Sequence, residues 1–275
     1  MWVVKASGET EKFNPEKIKR TCIRAGASEE LADRIVKQVT SKVYDGISTK
    51  EILNIALKLL NKEKPQIAAR YDLKGAMLRL GPAGFVFEHF IGELLKEYGY
   101  QTKVHNILRG HCVSHEIDVI ATKDSKNFMI ECKYHNMLGI YTGIREALYT
   151  YARFLDLQEG SKRGLCQEFE QPWLICNTKF SEDSIQYANC RGVRLTGWSY
   201  PEDGSLKTLI EEKKLYPITM IKSLDADSLD KLASCSFILA IDLLRIPLGE
   251  LNSITKISLK KLKTFADEAK KICYG

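Results

Sequence analysis

The sequence lacks the patterns that define several classes of protein. None of its eight cysteines forms a Cys-x-x-Cys pair, and a chain of 275 residues is long enough to build a core without a disulfide framework. No apolar run approaches the roughly 20 residues that span a bilayer. The opening segment has no apolar stretch typical of a secretory signal. These absences favour a cytoplasmic protein with reduced thiols and no membrane partner.

Glycine motifs of nucleotide-binding proteins are also missing. Neither Gly-x-x-x-x-Gly-Lys-[Ser/Thr] nor Gly-x-Gly-x-x-Gly occurs, so no P-loop or Rossmann fingerprint supports nucleotide binding. The excess of positive charge is small, with 41 Lys and Arg against 35 Asp and Glu, and it permits a nucleic-acid partner without requiring one. Residues 1–85 carry 16 basic and 10 acidic side chains, whereas residues 86–220 carry 16 and 18. The excess therefore lies outside the central segment.

The residue pattern divides the chain into three segments and predicts an α/β multi-domain protein. Residues 1–81 open with a short strand and continue with helical spacing, including a helix over Gln66–Leu80. The run Gly81-Pro82-Ala83-Gly84 breaks the chain and indicates a boundary. Residues 82–220 mix helices and strands, and residues 221–275 are helical.

The central segment has the element order α-β-β-β-α-β. A helix between the third and fourth strands implies a crossover connection, and therefore some parallel strand pairing. The predicted elements are a helix over 85–98, strands over 100–107, 115–121 and 128–133, a helix over 141–157 and a strand over 173–177, followed by a further helix and strand.

Charged residues interrupt two of these otherwise apolar strands. Asp118 lies in the second strand, and Glu131 and Lys133 lie in the third, on one face because strand side chains alternate. If the two strands pair as a hairpin, the three side chains converge at one end of the sheet. Charge at such positions costs stability unless it is paired or bound to a metal.

These residue types suit the hydrolysis of a phosphodiester. Two carboxylates are hard oxygen ligands of the kind Mg²⁺ (or Mn²⁺) prefers, and the metal would polarise the phosphate and acidify a bound water. Lys133 could orient that water or stabilise developing charge. The alternative is that Glu131 and Lys133 are solvated partners on an exposed strand face.

With these residues in place, the segment from Gly84 to about Trp198 resembles the PD-(D/E)xK nuclease superfamily, especially its Mrr-like restriction endonuclease branch. The resemblance rests on the element order and on Asp118, Glu131 and Lys133, and it adds Glu88 of the opening helix. It implies that Asp118, Glu131 and Glu88 bind the metal and that Lys133 assists catalysis.

Other polar residues near the motif leave alternatives open. Glu116 could be a further carboxylate at the metal or a solvated neighbour of Asp118. His115 and His135 could contact phosphate or act as bases, although such residues are more often peripheral polar groups. Cys112 and His115, together with Cys132 and His135, also offer zinc-type ligands, a less favoured interpretation because they lie on different elements.

The first segment resembles an ATP-cone domain. The matching stretches are Val3–Gly8, Phe13–Ile18 and Ile67–Tyr71. The resemblance implies a small, mainly helical module that binds ATP or dATP as an effector. It places Val3 and Val4 beside the base and Lys5 and Lys17 at the phosphates. Ala6 stands where family members usually carry Arg, so one cation is missing. The alternative is that both lysines are ordinary surface residues.

The last segment resembles a degenerate helix-hairpin-helix unit. Such hairpins usually grip phosphate through a Gly-x-Gly backbone, and here Lys256 replaces the first glycine. The nearby Lys260, Lys261 and Lys263 could meet a phosphate backbone or could form a solvated helix face.

Together these features predict a Mg²⁺-dependent DNA endonuclease regulated by a nucleotide-binding domain. DNA and an adenine nucleotide are the expected partners, and a homo-oligomer is compatible with the sequence. The alternative is a non-cleaving, nucleotide-responsive DNA-binding protein that keeps the nuclease fold. A third, weaker interpretation is a structural partner in RNA processing.

Overall fold

A computed structural model describes residues 1–81 and 84–275 of the chain. Pro82 and Ala83, from the predicted break, lie outside the described residues. Within the described ranges, no helix is both long and apolar enough to cross a membrane.

The described residues form two compact units. One combines residues 1–79 with residues 216–275, and the other comprises residues 80–215. The predicted mixed α/β, multi-domain organisation is confirmed. The C-terminal helices, which the sequence sets apart as a third segment, pack in the same unit as the first segment.

The N-terminal part of the first unit has a small sheet in the order β2-β1-β3 beside five helices. β1 pairs antiparallel with β2 and parallel with β3. The side chains of Asn14, Ser28 and Ser48 each accept a backbone N–H at a helix start, as N-caps do. The strands are β1 Trp2–Val4, β2 Thr10–Lys12 and β3 Ile47–Ser48, and the helices are α1 Pro15–Arg24, α2 Glu29–Thr40, α3 Thr49–Glu63, α4 Pro65–Tyr71 and α5 Leu73–Leu78.

The predicted helix over Gln66–Leu80 is instead two short helices, α4 and α5, separated at Asp72. The Asp72 carboxylate pairs with Arg79 at 2.9 Å. It lies so close to Gly75 that a Cβ there would be 2.2 Å from Oδ1 of Asp72. The apolar residues keep helical spacing across this break, so periodicity alone predicts one continuous helix.

The C-terminal part of the first unit is helical. α13 packs against α4, and Nη2 of Arg70 donates a hydrogen bond of 2.6 Å to the backbone oxygen of Gly275. Lys256 ends α12 in the left-handed conformation, with φ of 58°, at the position predicted to replace a hairpin glycine. The elements are a 3₁₀ turn Ile218–Met220 and helices α10 Ala226–Ser234, α11 Asp242–Arg245, α12 Leu248–Thr255 and α13 Leu259–Tyr274.

The second unit is built on a five-stranded mixed sheet in the order β10-β8-β6-β5-β4. Strands β4, β5 and β6 are antiparallel neighbours, whereas β6, β8 and β10 are parallel. The predicted hairpin and the predicted crossover are therefore both present. The elements are α6 Gly84–Glu97, β4 Gln101–Arg109, β5 Ser114–Lys123, β6 Lys126–Lys133, β7 Tyr141–Thr142, α7 Ile144–Lys162, β8 Gln171–Cys176, β9 Lys179–Phe180, α8 Glu182–Arg191, β10 Arg194–Thr196 and α9 Leu206–Lys213.

One helix start in this unit differs from the prediction. The helix predicted from Tyr141 begins at Ile144, because Tyr141 and Thr142 form a short parallel strand with Lys179 and Phe180. The apolar spacing that indicates the helix continues into this strand, so periodicity alone places the boundary too early.

Candidate active site

The candidate site lies where the hairpin of β5 and β6 opens. The last paired residues of this ladder are Val119 and Ile130. Beyond them, the carboxylate of Asp118 accepts the backbone N–H of Cys132 at 2.7 Å. A side chain thus replaces a ladder hydrogen bond, and it anchors Asp118 at the point where the strands separate.

Glu131 and Lys133 extend from the same end of β6. One carboxylate oxygen of Glu131 accepts a hydrogen bond from Nη1 of Arg153. The Lys133 side chain is 43% exposed, and its Nζ lies 3.9 Å from Oε1 of Glu146. The lysine is therefore free to reach a molecule outside the protein, whereas the glutamate is held inside.

Glu88 reaches the site from α6. Its side chain is only 16% exposed, and its Oε2 lies 3.2 Å from Nδ1 of His105 on β4. The charges of Glu88, Asp118 and Glu131 act on one another, and we call these three predicted residues the carboxylate cluster. It draws on one helix and two strands.

The carboxylate cluster holds like charges close together in a poorly solvated place. Desolvation, followed by the charges of Asp118 and Glu116, raises the pKa of Glu88 to about 7. Desolvation and the charge of Asp118 likewise raise the pKa of Glu131 to about 7, against the opposing charge of Arg153. Burial also raises the pKa of Asp118, despite its hydrogen bond from Cys132. Negative charge held in this way is typical of a cation-binding site.

The carboxylate donors fit a divalent metal ion chemically, although they do not surround a common point. Within residues 1–81 and 84–275, no three His, Cys, Asp or Glu side chains are arranged to hold a metal ion. Arg153 occupies one oxygen of Glu131. Hard carboxylate oxygens with unmet charge are nevertheless the ligands that Mg²⁺ and Mn²⁺ take.

Arg153 is a residue of the site that the sequence analysis does not find. It is 7% exposed, and its Nε is buried without a hydrogen-bond partner. Its guanidinium also lies 5.1 Å from the ring centre of Tyr149. The signal was available in the helix period, since Arg153 falls on the buried face of α7 with five uncharged residues. These are Ala147, Thr150, Phe154, Leu157 and Gly160.

The remaining polar candidates around the motif have other partners. Glu116 has a side chain 68% exposed, which suits a solvated neighbour of the cluster. Nε2 of His115 lies 2.7 Å from Oδ2 of Asp156, whose carboxylate also accepts backbone N–H groups of the loop between β4 and β5. His135 contacts Thr142 at 3.0 Å. Both histidines therefore stabilise loops, and the described residues contain no zinc site.

The predicted nucleotide residues lie around the first sheet. Nζ of Lys17 is 2.9 Å and Nζ of Lys5 is 3.4 Å from the same oxygen of Glu11. Val3 is buried in the core, and Val4 is half-buried. The two lysines therefore converge, and Glu11, which the sequence analysis does not single out, holds them together.

The fold and the site define the class of the second unit. The second unit has a mixed sheet, a helix before the first strand of that sheet and a crossover helix after the third. Asp118, Glu131 and Lys133 lie at the open hairpin. This is the restriction-endonuclease-like arrangement. Residues 83–197 match the family model of a restriction endonuclease domain of the Mrr type, and residues 1–73 match that of the ATP cone domain.

The chain is also similar to a curated protein and to a solved structure. The chain is 45% identical over 182 residues to an uncharacterized protein of Archaeoglobus fulgidus, covering 66% of this chain and 99% of that protein. It is also similar to a crystal structure described as a protein of unknown function, with 43% identity and a TM-score of 0.62 over 70% of this chain and 98% of the other. The chain belongs to the same family as the Archaeoglobus fulgidus protein, and it joins an ATP cone domain to an Mrr-type restriction endonuclease domain.

Proposed function

We propose that this protein is a metal-dependent DNA endonuclease whose activity responds to ATP or dATP. The observation that carries the proposal is the carboxylate cluster at the open end of the hairpin, with Lys133 two residues beyond Glu131 on the same strand. Buried carboxylates that raise each other's pKa are costly unless they serve a cation.

The residues of the site divide the work as follows. Glu88, Asp118 and Glu131 would hold the divalent ion, which when bound supplies Lewis-acid polarisation of the scissile phosphate. Lys133, exposed and cationic, positions the attacking water and stabilises charge that develops on the phosphate oxygens. The hydrogen bond from Cys132 holds Asp118 in place, so that little reorganisation is needed when substrate arrives.

Nucleotide binding is assigned to the first sheet and α1. Lys5 and Lys17 are the proposed triphosphate contacts. A bound triphosphate would replace the Glu11 carboxylate as the anionic partner of both lysines. Val3 and Val4 are proposed to line the base. Nothing in this site resembles a hydrolytic centre, so the nucleotide is proposed as an effector.

One observation favours a second candidate, a DNA-binding protein that keeps the fold without turnover. Arg153 already pairs with Glu131, and in a protein that never binds metal this contact would be a permanent ion pair. The two candidates differ in one respect. In the nuclease Glu131 must also bind the metal ion, whereas in the non-cleaving protein it need not.

Cleavage assays decide between them. Supercoiled plasmid and oligonucleotide substrates are incubated with wild type, Asp118→Ala and Lys133→Ala in Mg²⁺ or Mn²⁺, with EDTA as a control. We expect metal-dependent cutting by wild type and loss in both variants. Equal residual cutting by all three proteins would identify a contaminating nuclease and refute the assignment of the active site. Metal binding without any cutting would favour the second candidate.

A further inference from the structure

His105 lies in the middle of strand β4 in a conformation that strands do not use. Its φ is 54°, in the left-handed region that favours glycine. On either side, Val104 pairs with Val119 and Asn106 pairs with Ile117. His105 is therefore the residue of β4 that drops out of an otherwise continuous ladder.

The strain falls beside the carboxylate cluster. The register places His105 opposite Asp118, the residue that anchors the cluster. The adjoining Asn106 carries a buried Nδ2 that lacks a hydrogen-bond partner. A strained backbone next to an unsatisfied buried amide persists only where other interactions compensate for it, and such sites are concentrated at functional centres.

The imidazole of His105 connects the strand to α6. Its Nδ1 lies 3.2 Å from Oε2 of Glu88 and 3.9 Å from Oε1 of Glu116, and its ring centre is 5.2 Å from that of His89. Glycine would adopt the backbone conformation without strain but would leave Glu88 without this contact. Histidine at this strained position therefore supplies a contact with Glu88 that glycine could not make.

We propose that His105 is a positioning residue that holds the Glu88 carboxylate towards Asp118 for cation binding, and that its left-handed backbone is retained for this contact. The inference rests on the proposed function, because it assumes that Glu88 takes part in binding a divalent ion. It assigns His105 no contact with the DNA and no proton transfer.

Three variants test the proposal. His105→Gly relieves the backbone and removes the imidazole. His105→Asn tolerates the left-handed region and carries an amide N–H in the place of Nδ1. Lys214→Gly is the matched control, because Lys214 has a φ of 55° at the end of α9 and no role in the proposed site. Mn²⁺ affinity is measured by calorimetry at constant pH, stability by urea titration in EDTA, and cleavage on plasmid DNA.

We expect His105→Gly to bind Mn²⁺ about 10-fold or more weakly, as loss of a ligand-orienting partner usually does, while unfolding at no lower urea concentration than wild type. His105→Asn should recover most of the lost affinity, and Lys214→Gly should leave it unchanged. Wild-type Mn²⁺ affinity in His105→Gly, or equal weakening in His105→Asn and His105→Gly, would overturn the proposal.

The same measurements separate this inference from the proposed function. If the variants change Mn²⁺ affinity as expected and no protein cuts DNA, the positioning role stands and the nuclease assignment fails. If wild type cuts DNA and His105→Gly cuts equally well with unchanged Mn²⁺ affinity, the nuclease assignment stands and the positioning role fails. A wild-type protein that binds no Mn²⁺ overturns both.

Discussion

Neutralising Asp118 should make the metal-free protein more stable at alkaline pH. The substitution Asp118→Asn keeps an oxygen that can accept the N–H of Cys132, so the local geometry can persist while the negative charge is removed. The charge of Asp118 is, after desolvation, the largest cause of the raised pKa of Glu88 and of Glu131. The charge of Asp118 would then lower the stability of the metal-free protein.

The magnitude follows from proton linkage. Each glutamate rises from 4.5 to about 7, which corresponds to about 3 kcal/mol at about 1.4 kcal/mol for each pH unit. A raised carboxyl pKa favours the folded state below 4.5, and this contribution is lost as the pH rises through about 7. Since desolvation is the larger part of each shift, removing the charge of Asp118 should restore about 1–2 kcal/mol at pH 8. At pH 5 the part of the gain that acts through the glutamates should disappear, because both are then protonated in the folded state.

The assay is urea unfolding in EDTA at pH 5 and pH 8, followed by the fluorescence of Trp173 and Trp198, which are buried in the second unit. Asp156→Asn is the matched control. Desolvation acts to raise the pKa of Asp156, but hydrogen bonds from Cys112, His115 and Val113 hold that pKa well below its usual range. Neutralising Asp156 should therefore destabilise the protein at pH 8. The reasoning is refuted if Asp118→Asn gains no stability at pH 8, or gains the same amount at pH 5.

Two further predictions concern the nucleotide module and the packing of the second unit. Lys17→Ala should weaken ATP binding, measured by calorimetry, by about 10-fold, because it removes one charge-assisted contact. Lys37→Ala on α2 should leave the ATP affinity unchanged. If both variants bind ATP equally well, Lys17 does not contact the phosphates. Gly160→Ala should lower the free energy of unfolding by about 2 kcal/mol, because its Cβ would lie 2.9 Å from the backbone of Gly110. Gly249→Ala, with open space around it on α12, should be neutral or slightly stabilising, and a similar loss in both alanine variants would contradict the packing argument.

Much of the fold of the second unit could be predicted because its signals are local. Alternating apolar residues mark the strands, and the charges of Asp118, Glu131 and Lys133 stand out because they interrupt apolar runs. Glu88 has no such signal, since a helix of fourteen residues can carry a glutamate on many faces; it came from the family resemblance. The metal-binding role of these residues stays a prediction.

The parts that sequence reasoning missed depend on tertiary contacts. The left-handed conformation of His105 is set by its neighbours across the sheet and in α6, and nothing in its own strand indicates it. Arg153 becomes part of the site only because α7 returns its buried face to Glu131. Likewise, the packing of α13 against α4 joins segments far apart in the chain, which periodicity within either segment cannot reveal.

Glu88, Asp118 and Glu131 are proposed to form a site whose negative charge is balanced when a metal ion binds. Calorimetry of Mn²⁺ binding in buffers of different ionisation enthalpy tests it directly, by counting the protons released. Because burial and like charge raise the pKa of Glu88 and of Glu131 to about 7, both carboxyls hold protons near neutral pH, and metal binding should release protons at pH 7 and almost none at pH 9. Absence of Mn²⁺ binding, or binding without proton release at pH 7, would contradict the account.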